Sequence, residues 1–247
     1  MIIEIDNVHK EFGDLEVISQ ASISVEAGEF CVLLGPSGCG KSTLLNMIAG
    51  FEKPNSGTVK VFGKPVEKAG RHYGFVFQDY ALFPWKTVSG NVESGLLYIR
   101  NKAERRERAL HYIERVGLTE FRDTYPHKLS GGMKQRVGIA RALAYGPEIL
   151  LMDEPFGALD AQTRKLMQQE LIRILKGENK TIVFVTHSVI EAVYLADKVV
   201  VMSKRPSTVV AEIHIKMEHE RSYVDERYLE YRKEILHYLD AETGVHE

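Results

Sequence analysis

The hydrophobic pattern of the chain opens with alternation. Ile3 and Ile5, then Val17, Ile18, Ile23 and Val25, stand among polar positions with a turn signal at Gly13-Asp14 between them, which predicts an antiparallel β region over residues 1–25. Phe30–Leu34 breaks that rhythm. It is a continuous apolar run ending in glycines, as expected of a strand buried on both faces. A helix is predicted over Ser42–Ile48, and Thr58–Phe62 and Tyr73–Phe77 read as two more strands.

From about Val88 to Lys128 the pattern becomes polar and helical. Lys102–Arg115 is a charged helix whose apolar positions, Ala109, Leu110 and Ile113, continued by Val116, recur at helical spacing. Ser130–Tyr145 is a further helix, stopped near Gly146-Pro147. Alternation of element types then resumes: strand Ile149–Met152, helix Gln162–Lys176, strand Thr181–Val185, helix Ser188–Leu195, strand Lys198–Met202. Strands separated by helices predict a mostly parallel α/β sheet. The expected organisation is one domain over 1–247: a core with a β subdomain (1–87 and 147–205), a helical subdomain (88–146) and a strand/helix tail (206–247). In that tail Asp225–Leu239 places Tyr228, Leu229, Ile235, Leu236 and Leu239 on one side of a helix, as for a surface helix packed on the core.

Composition narrows the class. Of 247 residues 44% are hydrophobic and 27% charged, an ordinary globular balance. With 32 basic against 34 acidic residues and a net charge of −2, binding of nucleic acid through bulk charge is not expected. Cys31 and Cys39 are too few for a disulfide framework or a zinc site, which points to a reducing compartment. The apolar runs are strand-sized and the N-terminal residues lack a secretory pattern, so the chain is expected to be soluble and to meet a membrane only through partners.

The chemistry concentrates in short motifs. GPSGCGKST, residues 35–43, matches the phosphate-loop pattern and sits between a predicted strand and helix. Gly35, Gly38 and Gly40 let backbone amides wrap an anion, Lys41 offers charge to β- and γ-phosphates, and Ser42 a hydroxyl to Mg²⁺. Cys39, beside a helix start and Lys41, is expected to ionise more readily than an ordinary thiol. In EILLMDEP, residues 148–155, an apolar strand ends in Asp153, a metal partner through water, and Glu154, placed to polarise an attacking water. LSGGMKQR, residues 129–136, sets Ser130, Gly131 and Gly132 at a second helix start, where unsatisfied amides again favour an anion. Gln78 and His187 carry no chemical signal on their own.

In order, an aromatic (Phe12), the phosphate loop, Gln78, LSGGMKQR, Asp153-Glu154, Ala158-Leu159-Asp160 and His187 resemble the motif series of ATP-binding-cassette ATPases. The resemblance implies a P-loop NTPase core with an antiparallel β subdomain and a helical subdomain carrying the signature LSGGMKQR. It implies ATP and Mg²⁺, with the nucleotide held by Phe12 on adenine and by Gly35, Pro36, Ser37, Gly38, Cys39, Gly40, Lys41, Ser42 and Thr43. The metal would be met by Ser42, Gln78 and Asp153, and Glu154, His187, Lys41 and Gln78 would be catalytic.

The same resemblance implies a dimer, homotypic or with a related subunit, in which Ser130, Gly131, Gly132 and Asp160 reach the nucleotide of the opposing chain. Three roles are weighed for such an ATPase. DNA-associated relatives carry a long coiled coil, and translation-associated ones two cassettes per chain; neither feature is present in this sequence. The third is the motor of an importer. DYALFPWKTVSGNV, residues 79–92, is aromatic-rich where transporter cassettes receive a helix of the membrane permease, which places docking near Tyr80–Trp85. FPWKTV, PFGALDAQTR and MSKRPSTVV resemble the nitrate, sulfonate and taurine importer branch, although Ser89-Gly90 departs from its usual bulkier, more polar pair. An extracytoplasmic solute-binding protein would then act indirectly, and the chain would sit on the cytoplasmic face of the membrane.

Overall fold

The computed structural model describes residues 1–70 and 72–243, with side chains described through residue 240. In chain order the elements are β1 (Ile3–Phe12), β2 (Leu15–Val25), β3 (Phe30–Leu34), α1 (Lys41–Ala49), β4 (Ser56–Val61), β5 (Lys64–Pro65), β6 (Tyr73–Val76), α2 (Val88–Ser94), α3 (Lys102–Arg115), α4 (Gly131–Ala144), β7 (Ile149–Asp153), α5 (Ala161–Leu175), β8 (Thr181–Thr186), α6 (Val189–Leu195), β9 (Lys198–Met202), β10 (Ser207–His214) and α7 (Glu226–Thr243). They form two compact units, one of Met1–Arg71 with Lys180–Glu247, the other of His72–Asn179. The sequence places its divisions elsewhere, at 87/88 and 146/147. The compact unit that holds the helical stretch also holds β6, β7 and α5. Of the expected tail, residues 244–247 lie outside the described residues.

In the first unit the strands run β5-β4-β1-β2-β10-β9-β3-β8. The expected antiparallel β region is present: β1 pairs with β2 (Ile3 opposite Val25) and with β4 (Ile3 opposite Val61). β3 pairs in parallel with β8 on one side and β9 on the other, Cys31 lying opposite both Val183 and Lys198. Flanked on both edges and packed on both faces, β3 has all five residues buried, which is why its sequence is an unbroken apolar run. It delivers the chain into the phosphate loop. β4 stops at Val61, one residue short of the sequence expectation, because Phe62 (φ 53°) and Gly63 (φ 70°) both turn left-handed to start the hairpin to β5.

At the C-terminal end, α6 and α7 pack on one another. Tyr194 and Tyr223 stack with ring centroids 4.9 Å apart, Tyr228 meets Tyr223 edge-on, and the Tyr228 hydroxyl donates to the Ile190 carbonyl. Arg221 donates to the carbonyls of Val193 and Ala196 at the end of α6. Tyr228 and Ile235 of α7 are buried as expected, but Leu229 is exposed, since one residue further round the helix turns it by about 100° away from the core.

In the second unit β6 and β7 pair in parallel, Tyr73 opposite Ile149. α2, α3 and α4 pack together beside them. α3 starts with Asn101 accepting from the Ala103 and Glu104 amides, a cap the charged sequence Asn101-Lys102-Ala103-Glu104 is built for. Among the described residues no helix is long and apolar enough to cross a membrane.

Candidate functional site

The phosphate loop lies in the first unit. Gly40 precedes α1 at φ 111°, a conformation closed to side-chain-bearing residues, and caps the helix without any side-chain hydrogen bond. Gly40 itself offers no side chain to the opening amides of α1, and a helix start without a capping side chain is suited to bind an anion. At Gly35 a Cβ would lie 2.7 Å from the Met202 carbonyl, so the loop leaves β3 in van der Waals contact with β9. Lys41 is buried, and its Nζ donates to the carbonyls of Gly35 (2.9 Å) and Pro36 (2.7 Å), which curls the loop over its own lysine. Ser37, Gly38 and Ser42 are exposed, and Pro36 and Thr43 half-buried.

Cys39 corrects the sequence expectation. Its thiol is buried, and burial outweighs the Lys41 ammonium 3.9 Å from Sγ, pushing the thiol above its ordinary value instead of below it. Phe12 is exposed at 46%, as a stacking surface requires, but one of its neighbours is unforeseen: Lys10 Nζ stands 4.5 Å from the ring centroid, steadied by Glu52 Oε1 and the Lys53 carbonyl. His187 follows β8 and is exposed. The turn beyond it is tightly built. Thr186 Oγ1 donates to buried Glu191 and accepts from the Ser188 amide, and Ser188 caps α6.

The carboxylates Asp153 and Glu154 and the signature lie in the second unit. β7 ends at half-buried Asp153, and Glu154 follows in a left-handed conformation at φ 40°. Non-glycine residues hold such a geometry where their surroundings dictate it, commonly at functional positions. The point that a Cβ on Gly157 would occupy lies 3.7 Å from both Glu154 Oε2 and Gln78 Nε2, so these two predicted residues converge on one glycine. Nothing in the spacing of 78, 154 and 157 signals this.

Ser130 is the N-cap of α4, its hydroxyl oxygen accepting from the Met133 amide at 3.3 Å. Ser130 is exposed, Gly131 half-buried and Gly132 buried, where a Cβ would meet Thr163 Cγ2 at 3.1 Å. Asp160 caps α5 by accepting from the amides of Gln162 and Thr163. The hydrogen bond to Thr163 holds its carboxyl below the usual range.

The family model for ABC transporters matches residues 18–157. The chain belongs to the ABC transporter family. This cassette is 47% identical over 222 residues to the nitrate import ATP-binding protein NrtD of Synechocystis, covering 88% of this chain and 84% of that one. To the aliphatic sulfonates import ATP-binding protein SsuB of Bacillus cereus it is 40% identical over 244 residues, covering 96% and 95%. A dimeric post-hydrolysis structure of the ATP-binding cassette MJ0796 with ADP and Pi superposes with a TM-score of 0.76 at 33% identity, over 88% of this chain and all of that one. The cassette is thus an ABC-type ATPase with the α/β cassette fold.

Two further side chains fasten residues 80–87 within the second unit. Asn91 is fully buried, and its side chain bonds Phe83, Lys86 and Thr87. Arg141 of α4 donates to the carbonyls of Tyr80 and Ala81. Asn91 sits in a polar, helical stretch and Arg141 is one of many basic residues, so neither stands out in the sequence. The unusual Ser89-Gly90 also has a structural account. Ser89 donates from Oγ (2.8 Å) and from its amide (2.9 Å) to the Arg122 carbonyl, and a Cβ on Gly90 would lie 3.3 Å from Lys86 Cβ.

Proposed function

We propose that the chain is the nucleotide-binding subunit of an importer, hydrolysing ATP in a head-to-tail dimer to energise uptake of a small solute of the nitrate, sulfonate or taurine kind through separate permease subunits. The observation that carries this reading is the presence of two amide-presenting helix starts, one curled over Lys41 and the other, at Ser130–Gly132, opening on an exposed capping serine. The nitrate and sulfonate functions named for the relatives support the cargo class, and the dimeric neighbour supports the assembly.

The chemistry is in-line transfer of the γ-phosphoryl group to water. Lys41 and the loop amides stabilise charge on the β- and γ-phosphates, Glu154 polarises the attacking water, and His187 and Gln78 orient the γ-phosphate and that water. Phe12 offers a ring face to adenine. Ser130, Gly131, Gly132 and Asp160 act on the nucleotide of the opposing chain, so hydrolysis waits on dimer closure. The donors assigned to Mg²⁺, the Ser42 hydroxyl, Asp153 carboxylate and Gln78 amide oxygen, are all hard oxygens, the set that ion takes alongside phosphate and water. When bound it neutralises charge between the β- and γ-phosphates.

The permease docks at residues 80–85. Phe83 and Trp85 are 38% and 71% exposed, their ring centroids 5.6 Å apart, an aromatic anchor of the kind that receives a partner helix. The solute-binding protein acts through the permease, and the subunit sits on the cytoplasmic side of the membrane.

Glu154→Gln tests the ATPase reading: turnover falls by roughly 10²–10⁴-fold, the range of a lost general base, and MgATP yields a dimer by size-exclusion chromatography. Rapid turnover with a monomeric profile overturns it. Replacing Phe83 and Trp85 with alanine releases a co-purifying membrane subunit; retention of that subunit removes the docking assignment.

A further inference from the structure

Residues 77–87, between β6 and α2, form no regular element yet are fastened at both ends within the second unit. At the far end Asn91 Oδ1 accepts from the Phe83 amide at 2.7 Å, and its Nδ2 donates to the carbonyls of Phe83, Lys86 and Thr87 at 3.1, 3.1 and 3.0 Å. At the near end Tyr80 (φ 59°) and Ala81 (φ 45°) are consecutive left-handed residues, neither a glycine. Such a pair persists where outside contacts dictate it.

Those contacts come from α4. Arg141 donates from Nη1 to the Ala81 carbonyl at 2.5 Å and from Nη2 to the Tyr80 carbonyl at 3.0 Å. The left-handed turn is what brings two successive carbonyls onto one guanidinium fork. Gly131, Gly138 and Arg141 share a face of the helix, being related by helical spacings. A Cβ on Gly138 would lie 3.6 Å from the Tyr80 carbonyl oxygen, and one on Gly131 would lie 3.2 Å from the Tyr80 hydroxyl. Tyr80 therefore lies along the helix, over two residues without side chains, from the Arg141 end to the start of the signature.

We propose that Arg141, with Tyr80, is a clasp that seats the 77–87 strap on the signature helix, so that the docking residues Phe83 and Trp85 and the helix start Ser130–Gly132 move as one body. Arg141 is a positioning residue, acting through the strap. The inference rests on the importer reading, which gives the strap and the helix start their two opposing partners. Pinning the helix start on the nucleotide of the other chain then orders the strap through the clasp.

The test uses the full chain carrying Glu154→Gln, with size-exclusion chromatography to score the MgATP dimer and hydrogen exchange to follow the peptide over 78–87. In that parent, dimer formation slows exchange in the strap. With Arg141→Ala added, MgATP affinity of the monomer is unchanged and the dimer forms, but the gain in strap protection falls several-fold. Arg141→Lys, a single point donor facing two carbonyls, retains an intermediate gain. If the alanine variant does not fold, the lysine variant decides. A gain equal to the parent in either variant, or a parent dimer with no gain, overturns the clasp alone. A parent that stays monomeric overturns the importer reading, and the clasp with it.

Discussion

The two helix starts of this cassette solve one physical problem in opposite ways. Both α1 and α4 open with glycine-rich sequence and point backbone amides outward. α1 has no side-chain cap, and its first residue, Lys41, is buried against carbonyls of the loop that precedes it. α4 has a serine cap that satisfies the Met133 amide, an exposed opening, and Tyr80 and Leu159 close against Gly131. The first is a stretch of nine residues that hydrogen-bonds to its own lysine from within, seated at Gly35 and Gly40 on Met202, Val17 and Ile18. The second is a surface whose position depends on side chains brought from elsewhere in its unit. The enclosing motif takes its hydrogen bonds from its own neighbours in sequence, whereas the presented motif has distant side chains set against its first turn.

This contrast is breakable. Lys41→Ala removes the cation of the enclosure, with an expected loss of about 10²–10³-fold in turnover, the range for a lost transition-state donor, and weakened MgATP binding by calorimetry. Gly131→Ala leaves the enclosure intact but forces a Cβ to 3.1 Å from Leu159 Cδ2 and 3.2 Å from the Tyr80 hydroxyl. Displacing a presented motif by such a fraction of an ångström is expected to lower turnover by about 10–100-fold with monomer MgATP affinity unchanged. Equal losses of affinity in the two variants would erase the distinction between enclosure and presented surface.

The walls of the enclosure give a third test. Burial pushes the Cys39 thiol up and the Cys31 thiol to about 12, so thiolate is scarcer at neutral pH than in a free cysteine and appears only as pH rises. Iodoacetamide labelling at neutral pH, followed by mass spectrometry, is expected to run at least about ten-fold slower in the native protein than after unfolding. Fast native labelling of Cys39 would mean the loop is open. The smallest effect concerns Asp160. Its carboxyl is held below the usual range by its capping bond to Thr163, so the cap contributes above the ordinary carboxylate value of about 3.9 and is lost as pH falls through the lowered one. Thermal melts should show wild type above Asp160→Asn near neutrality and the gap closing on acidification.

The legible part of the molecule is that in which sequence neighbours are also neighbours in space. The phosphate loop reads directly because a strand end, a glycine loop and a helix start are consecutive, and β3 announces its place by five unbroken apolar residues. The boundaries of α3 and β9 fall where the pattern puts them. Leu229 was misplaced because periodicity gives a helix a face but not the width of the surface that covers it.

By itself, then, the sequence determined the α/β alternation and both helix starts, and it singled out Lys41, Glu154 and Ser130 as candidates for the chemistry. Tertiary structure alone decided which side chains stand beside them. Lys10 reaches the face of Phe12, burial reverses the expected character of Cys39, and Gln78 and Glu154 meet at Gly157. Arg141 grips carbonyls sixty residues away in the chain. Periodicity and turn chemistry record local conformation, whereas desolvation and long-range hydrogen bonds depend on which surfaces the folded chain presses together.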